Sequence, residues 1–375
     1  MSDRIIVTYH VTSDAASIDA RAQGIAVEQS VEMPLAAITD ERVMNEVVGE
    51  VRGVRDLGDG LFEVKVGLAV ETTGFEAGQL VNMIFGNTSI NPDTALMDAE
   101  FPQPILDAFG GPDQGIAGLR DRVRVYDRPL TCSALKPQGL PIPGLADLAA
   151  RFTLGGVDYI KDDHGLADQQ PSPYAERVPV IAAAVRKARK ETGHPTRYIP
   201  SLTGNLDQLR HQIRIARDEG LDSLMVQPMI AGFPTFQTLV RENPDMAFFS
   251  HPTMTGAQRI GAPFLHGTLF RLLGADAVIY TNHGGRFPLP KETCLELGRR
   301  ATRPWDGLKP AMPVPAGGMT LDRVPEMIEC YGNDVMLLIG GGLLLAREKL
   351  AEETRGFQDH VAKLAREAAP AAVAE

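Results

Sequence analysis

Only three cysteines, Cys132, Cys294 and Cys330, occur in 375 residues, too few and too scattered for a disulfide framework, and no CxxC pair offers a structural zinc site. A reducing compartment suits that usage. No apolar run reaches membrane-spanning length, and the N-terminus lacks a basic stretch followed by an apolar one. The expectation is a cytoplasmic protein that enters no membrane. A basic surplus is missing too: 37 Lys and Arg stand against 48 Asp and Glu, and the formal net charge of −11 argues against nucleic acid or an anionic membrane surface as partner. What is plentiful is core material. With 44% hydrophobic residues, the chain is long enough for two domains or for one large barrel with an appendage.

The pattern changes near residue 125. Before it, Ile5 to Val11 reads as a strand and Ile18 to Val27 as a helix, and Val47 to Val54 and Leu61 to Val70 flank an Asp59-Gly60 turn as hairpin strands. Ile84 to Ser89 reads as a strand entering a polar loop, and the Gly-, Pro- and charge-rich Phe109 to Arg124 as a linker. From Leu130 onward, short apolar runs alternate with helix-length amphipathic segments, which points to βα units and a parallel sheet. Eight strands are expected: Leu130–Lys136, Val157–Lys161, Arg197–Ser201, Ser223–Gln227, Ala247–His251, Ala277–Thr281, Met312–Pro315 and Val335–Ile339. That number matches a (β/α)8 barrel. Leu343 to Ala368 should form one or two helices, and the Ala-rich tip from Ala369 to Glu375 should fray. The expected fold is therefore α/β, with an N-terminal α+β ferredoxin-like domain over 1–125, a (β/α)8 TIM barrel over 126–345, and a helical tail over 346–375.

The chemistry concentrates in Gly155-Gly156-Val157-Asp158-Tyr159-Ile160-Lys161-Asp162-Asp163-His164. A short buried strand here would deliver a lysine, two carboxylates and an imidazole to its C-terminal end, where such barrels keep their active sites. A solvated charged turn, or a Lys161–Asp163 ion pair that needs no metal, is the alternative reading. Other strand ends add Lys136, His251 and Asn282-His283-Gly284-Gly285-Arg286. Gly317-Gly318 and Gly340-Gly341-Gly342 follow strands seven and eight, where backbone amides commonly hold a phosphate; tight turn packing is the plainer account of these glycines. His194 and His266 read as structural histidines.

Taken in order, these residues resemble the Rubisco-like proteins, which share the Rubisco large-chain fold without its carboxylase function. Tyr126-Asp127-Arg128-Pro129-Leu130 through Leu135-Lys136-Pro137-Gln138-Gly139 is similar to the family's first barrel strand with its catalytic lysine. Gly155 through Asp163 is similar to the strand whose lysine takes up CO2 as a carbamate. The resemblance implies a carbamate on Lys161 that binds Mg2+ together with Asp163, a catalytic His251 in Phe249-Ser250-His251, and phosphate contacts from Gly317, Gly318, Gly341 and Gly342. It also implies that Asn87, in Gly86-Asn87, and Glu28, in Val27-Glu28-Gln29-Ser30, complete a neighbouring subunit's site. The expected assembly is a homodimer or a higher homo-oligomer of dimers.

Departures from the family pattern narrow the chemistry. His164 stands where the family has a third anionic ligand, so a divalent metal other than Mg2+ is open. Gln138 replaces a second lysine, Pro252 replaces an arginine for a second phosphate, the strand-six histidine is missing by simple alignment, and Arg286 replaces the mobile-loop lysine. Carboxylation of a bisphosphate is not expected. A guanidinium at Arg286 suits a substrate that brings its own carboxylate. The preferred expectation is thus a small phosphorylated β-keto sugar acid, with 3-oxo-isoapionate 4-phosphate decarboxylase or transcarboxylase/hydrolase as the activity and Lys136 moving the proton. The alternatives are an enolase or isomerase of a methylthio-ribulose phosphate, and a non-catalytic sugar-phosphate-binding protein.

Overall fold

A computed structural model describes residues 3–287 and 289–368, so the tip expected to fray lies outside the described residues. The chain forms two compact units. The first comprises the residues up to Gly111 with Met254–Leu265 and Asp306–Leu308, and the second the remainder. No helix among the described residues is long and apolar enough to cross a membrane.

In the first unit, strands β1 (Arg4–Thr12), β2 (Glu50–Gly58), β3 (Leu61–Ala69) and β4 (Thr94–Glu100) form an antiparallel sheet of order β2-β3-β1-β4. Helices Ile18–Glu28 and Ala77–Phe85 follow β1 and β3, which makes the β-α-β-β-α-β arrangement of a ferredoxin-like domain. Asp59 and Gly60 both adopt positive φ, 54° and 73°, as a two-residue hairpin turn requires. One expectation fails here. Ile84 and Phe85 end a helix instead of opening a strand, because the Glu76 carboxylate caps the amides of Gly78 and Gln79 and starts that helix. β4 also went unanticipated.

In the second unit, β5 (Leu130–Leu135), β6 (Tyr159–Asp162), β7 (Arg197–Ile199), β8 (Ser223–Val226), β9 (Ala247–Ser250), β10 (Ala277–Thr281), β11 (Met312–Ala316) and β12 (Met336–Leu338) are the eight expected strands. They pair in parallel as β12-β5-β6-β7 and β8-β9-β10-β11, and the Ser201–Met225 bridge joins β7 to β8. Most are buried throughout, as strands covered on both faces must be. Cys132, Tyr159, Ile199, Met225, Phe249, Ile279, Val314 and Met336 fill the barrel interior.

The segment read as a linker is instead a helix, Gly115–Val123, that belongs to this core. Ile116, Leu119 and Val123 pack into the interior cluster, and the Tyr159 hydroxyl donates to the Leu119 carbonyl at 2.8 Å. Its start is held by Asp276, whose Oδ1 accepts from the amides of Gln114 and Gly115, both at 2.7 Å. The i, i+3, i+7 spacing of those apolar residues outweighs the surrounding Gly, Pro and charge. Helix Leu350–Ala368 likewise packs into this unit, burying Leu350, Phe357, Val361 and Ala365. A Cβ on Gly155 would come within 2.4 Å of Thr354, so glycine there admits the helix.

Candidate active site

Alternation along the strands decides which side chains reach the barrel mouth. Tyr159 faces the interior, so Lys161 and Asp163 follow on the same face. Cys132 and Phe249 likewise put Lys136 and His251 on that face, two steps and one step further along. Lys161 and Asp163 are 4% and 5% exposed, which makes each charge dependent on its partners.

Lys136 Nζ donates to Asp163 Oδ1 at 2.5 Å, and Gln138 Nε2 approaches Oδ2 at 3.4 Å. His164 Nδ1 lies 3.5 Å from the same Oδ1. Burial pushes the Asp163 carboxyl up, but the hydrogen bonds from His164 and Lys136 and the charge of Lys161 outweigh it and hold the group well below the usual carboxylate range. Lys161 is shifted down as well. Its burial lowers the amine's pKa, with Asp163 opposing, and Nζ donates to the Asp162 carbonyl at 2.9 Å. His164 and His251 stack, with centroids 4.5 Å apart and planes at 14°. Burial, then Lys161 and His164, push His251 down to about 2, so its imidazole is neutral near pH 7. Thr253, which sequence reasoning passed over, orients that ring through a 2.7 Å contact from Oγ1 to Nδ1.

The donor set suits a divalent metal in kind. A lysine of lowered basicity is closer to the free amine that takes up CO2, Asp163 is ionised, and His164 offers a borderline nitrogen.

The second carboxylate of the motif does not join this group. Asp162 is completely buried on the opposite face, where it accepts from Arg177 Nη2 at 3.1 Å, the Tyr198 hydroxyl at 2.8 Å and the Ser201 amide at 3.1 Å. Strand alternation alone separates it from Asp163.

Gly317 and Gly318 have φ of 89° and 103°, and a Cβ on Gly318 would sit 2.9 Å from the Arg286 amide nitrogen. Only glycine suits that pair. Gly341 meets nothing within 4 Å and opens the short helix Gly341–Leu344. The Arg286 amide donates to the Gly317 carbonyl at 2.7 Å, while its guanidinium is exposed, 5.8 Å from the Phe287 ring centroid. A cavity of 560 Å³ opens beside Lys136, where Leu140, Leu148 and Leu344 share the walls with Asp147, Arg151 and Arg347.

In the first unit, Asn87 Nδ2 donates to Glu28 Oε1 at 2.9 Å and to Glu32 Oε1 at 3.2 Å. Gln29 fixes the two segments: its Nε2 donates to the Met83 carbonyl at 2.7 Å and its Oε1 accepts from the Thr88 amide at 3.0 Å. His194 is structural as expected, bonded to Asp158 Oδ1 at 2.9 Å. His266 is buried edge-on to Phe270, and its Nδ1 has no hydrogen-bond partner among the described residues.

The model of the ribulose bisphosphate carboxylase large chain, catalytic domain, matches residues 115–287. The crystal structure of a Rubisco-like protein from Rhodopseudomonas palustris superposes with a TM-score of 0.91 at 47% identity, covering 97% of this chain and 99% of that one. The chain belongs to the Rubisco-like proteins. Within that family it is 56% identical to the 5-methylthioribulose-1-phosphate isomerase of Rhodospirillum rubrum, over 96% of this chain and 97% of the relative. It is 31% identical to the 2,3-diketo-5-methylthiopentyl-1-phosphate enolase of Geobacillus thermodenitrificans, over 90% and 87%.

Proposed function

We propose that this Rubisco-like protein is an isomerase of a methylthio-ribulose phosphate, with 5-methylthioribulose 1-phosphate as substrate. The observation that carries the reading is the 56% identity, along nearly the whole chain, to the Rhodospirillum rubrum isomerase. The reading first preferred from sequence, decarboxylation of 3-oxo-isoapionate 4-phosphate, gives way to what had been its alternative.

The reaction removes a proton from a carbon beside the ketone and returns one to another carbon, so no C–C bond breaks and no oxidant is consumed. Lys136, hydrogen-bonded to Asp163, moves a proton at Nζ. His251, a neutral imidazole, hydrogen-bonds a substrate hydroxyl. The amides around Gly317-Gly318 and Gly341-Gly342 take the single phosphate. Carbamylated Lys161, Asp163 and His164 would hold Mg2+ or another divalent ion, which would supply polarisation of the carbonyl oxygen. Glu28 and Asn87 complete the site of a partner subunit in a homodimer.

Decarboxylation of a β-keto sugar acid phosphate is a second reading, supported by the exposed guanidinium of Arg286. The test is incubation with Mg2+, bicarbonate and 5-methylthioribulose 1-phosphate in D2O, followed by NMR. Deuterium entry at carbons flanking the ketone and a new ketose phosphate are expected. No exchange and no product, with CO2 released from 3-oxo-isoapionate 4-phosphate, would transfer the assignment to the second reading.

A further inference from the structure

The loop that leaves β10 carries a second cluster of donors. His283 is 8% exposed; its Nε2 is 2.8 Å from Glu326 Oε1, and its Nδ1 is buried with no partner among the described residues. Glu326 and Cys330 stand four residues apart on helix Val324–Tyr331, hence on one helix face. One ligand atom from each of the three lies within 4.8 Å of the others. Cys330 is a free, half-buried thiol, and its sulfur has no hydrogen-bond partner among the described residues.

A plain hydrogen-bonded network accounts for part of this. Arg323 donates to Glu326 Oε2 from Nη2 at 2.7 Å and from Nε at 3.1 Å, and to the His283 carbonyl from Nη1 at 2.6 Å. That network leaves the imidazole Nδ1 and the thiol unused among the described residues, and one ligand atom of His283 and the Cys330 sulfur lie within 4.8 Å of a Glu326 carboxylate oxygen. Arg323 instead has the place of an outer partner: it orients the carboxylate through Oε2, while Oε1 faces His283 Nε2 at 2.8 Å and Lys291 Nζ at 3.9 Å, contacts that a bound ion would replace.

We propose that His283, Glu326 and Cys330 bind a divalent transition-metal ion of the Zn2+ class, at a site separate from Lys161, Asp163 and His164. An imidazole nitrogen, a thiolate sulfur and one carboxylate oxygen match the ligand types of such ions, whereas Mg2+ and Ca2+ take oxygen. Three protein ligands leave a fourth, tetrahedral position to water. On binding, the Cys330 thiol gives up its proton to solvent and its sulfur bonds the metal. The ion ties the loop after β10 to helix Val324–Tyr331. The same loop is bonded to Gly317 through the Arg286 amide, so the clamp holds one wall of the glycine pair.

The test uses the full chain, freed of metal with a chelator and titrated with Co2+, whose thiolate complexes absorb in the near ultraviolet and, when tetrahedral, strongly in the visible. About one Co2+ per chain is expected with these bands, displaced by Zn2+. The bands should persist in Lys161→Ala and in Cys294→Ser, since the Cys294 thiol donates to the Thr281 carbonyl and is not in the cluster. They should vanish in Cys330→Ser and His283→Gln. Alkylation of Cys330 in the wild-type protein gives a readout that needs no variant: Zn2+ should slow it at least tenfold. Absence of the thiolate band in the wild type, its survival in Cys330→Ser, or alkylation unaffected by Zn2+ would overturn the proposal.

Discussion

Asp162 and Asp163 are adjacent in the chain yet face opposite layers of the barrel, the first bound by Arg177 among the helices and the second by Lys136 at the mouth. The two carboxylates should therefore separate stability from chemistry. Arg177 and Asp162 are both fully buried, and removing one partner strands the other charge. Arg177→Ala is expected to cost about 3–5 kcal/mol, read as a lower urea midpoint. Asp163→Asn should abolish isomerisation and cost less stability than Arg177→Ala, because its partner Lys136 is 36% exposed and can be solvated. A wild-type midpoint in Arg177→Ala would contradict the assignment of Asp162 to the structural layer.

Lys161→Ala removes the proposed carbamate. Metal-dependent turnover should fall by at least about a hundredfold, and a carbamate signal from 13C-labelled bicarbonate, present in wild type, should disappear. Retention of that signal in the variant would place the carbamate on another lysine.

The proposed sharing of Glu28 and Asn87 between subunits is open to complementation. Asn87→Ala and Lys136→Ala proteins should each be inactive as homodimers. After mixing and subunit exchange, half the dimers carry one intact site of two, so recovery of about a quarter of wild-type activity is expected. No recovery, despite hybrids detected by mass spectrometry, would count against a shared site.

Asp158 sets an acid limit on stability. It is fully buried; burial raises its carboxyl pKa, but His194 and Arg128 outweigh that and hold it below the ordinary carboxylate value. A folded-state pKa below the unfolded one means stability that is present above the unfolded value and lost as pH falls through the folded one. Asp158's own contribution to the unfolding free energy, read as the difference between wild type and Asp158→Asn, should hold from about pH 6 to about pH 4 and then decline on further acidification. Asp158→Asn should lower stability at neutral pH, and urea titrations should show that difference narrowing in acid.

Much of the fold was legible in the chain because its signals are local. Each barrel strand is a short apolar run bounded by turn residues, and the Asp59-Gly60 turn fixes its hairpin through backbone conformation alone. The residues at the strand ends, Lys136, Lys161, Asp163, His251 and the glycine pair Gly317-Gly318, follow from the same periodicity once a barrel is assumed. Other features depend on partners distant in sequence. Whether Gly115–Val123 is a linker or a helix in the core depends on the barrel interior that receives Leu119 and on Asp276, which holds its start. The separate role of Asp162 needs Arg177, Tyr198 and Ser201 on later elements, and the cluster of His283 with Glu326 and Cys330 needs a loop and a helix brought together. Local patterning determines which residues share a face of a strand or helix; only packing of that face against the rest of the chain decides which charge, thiol or ring it meets.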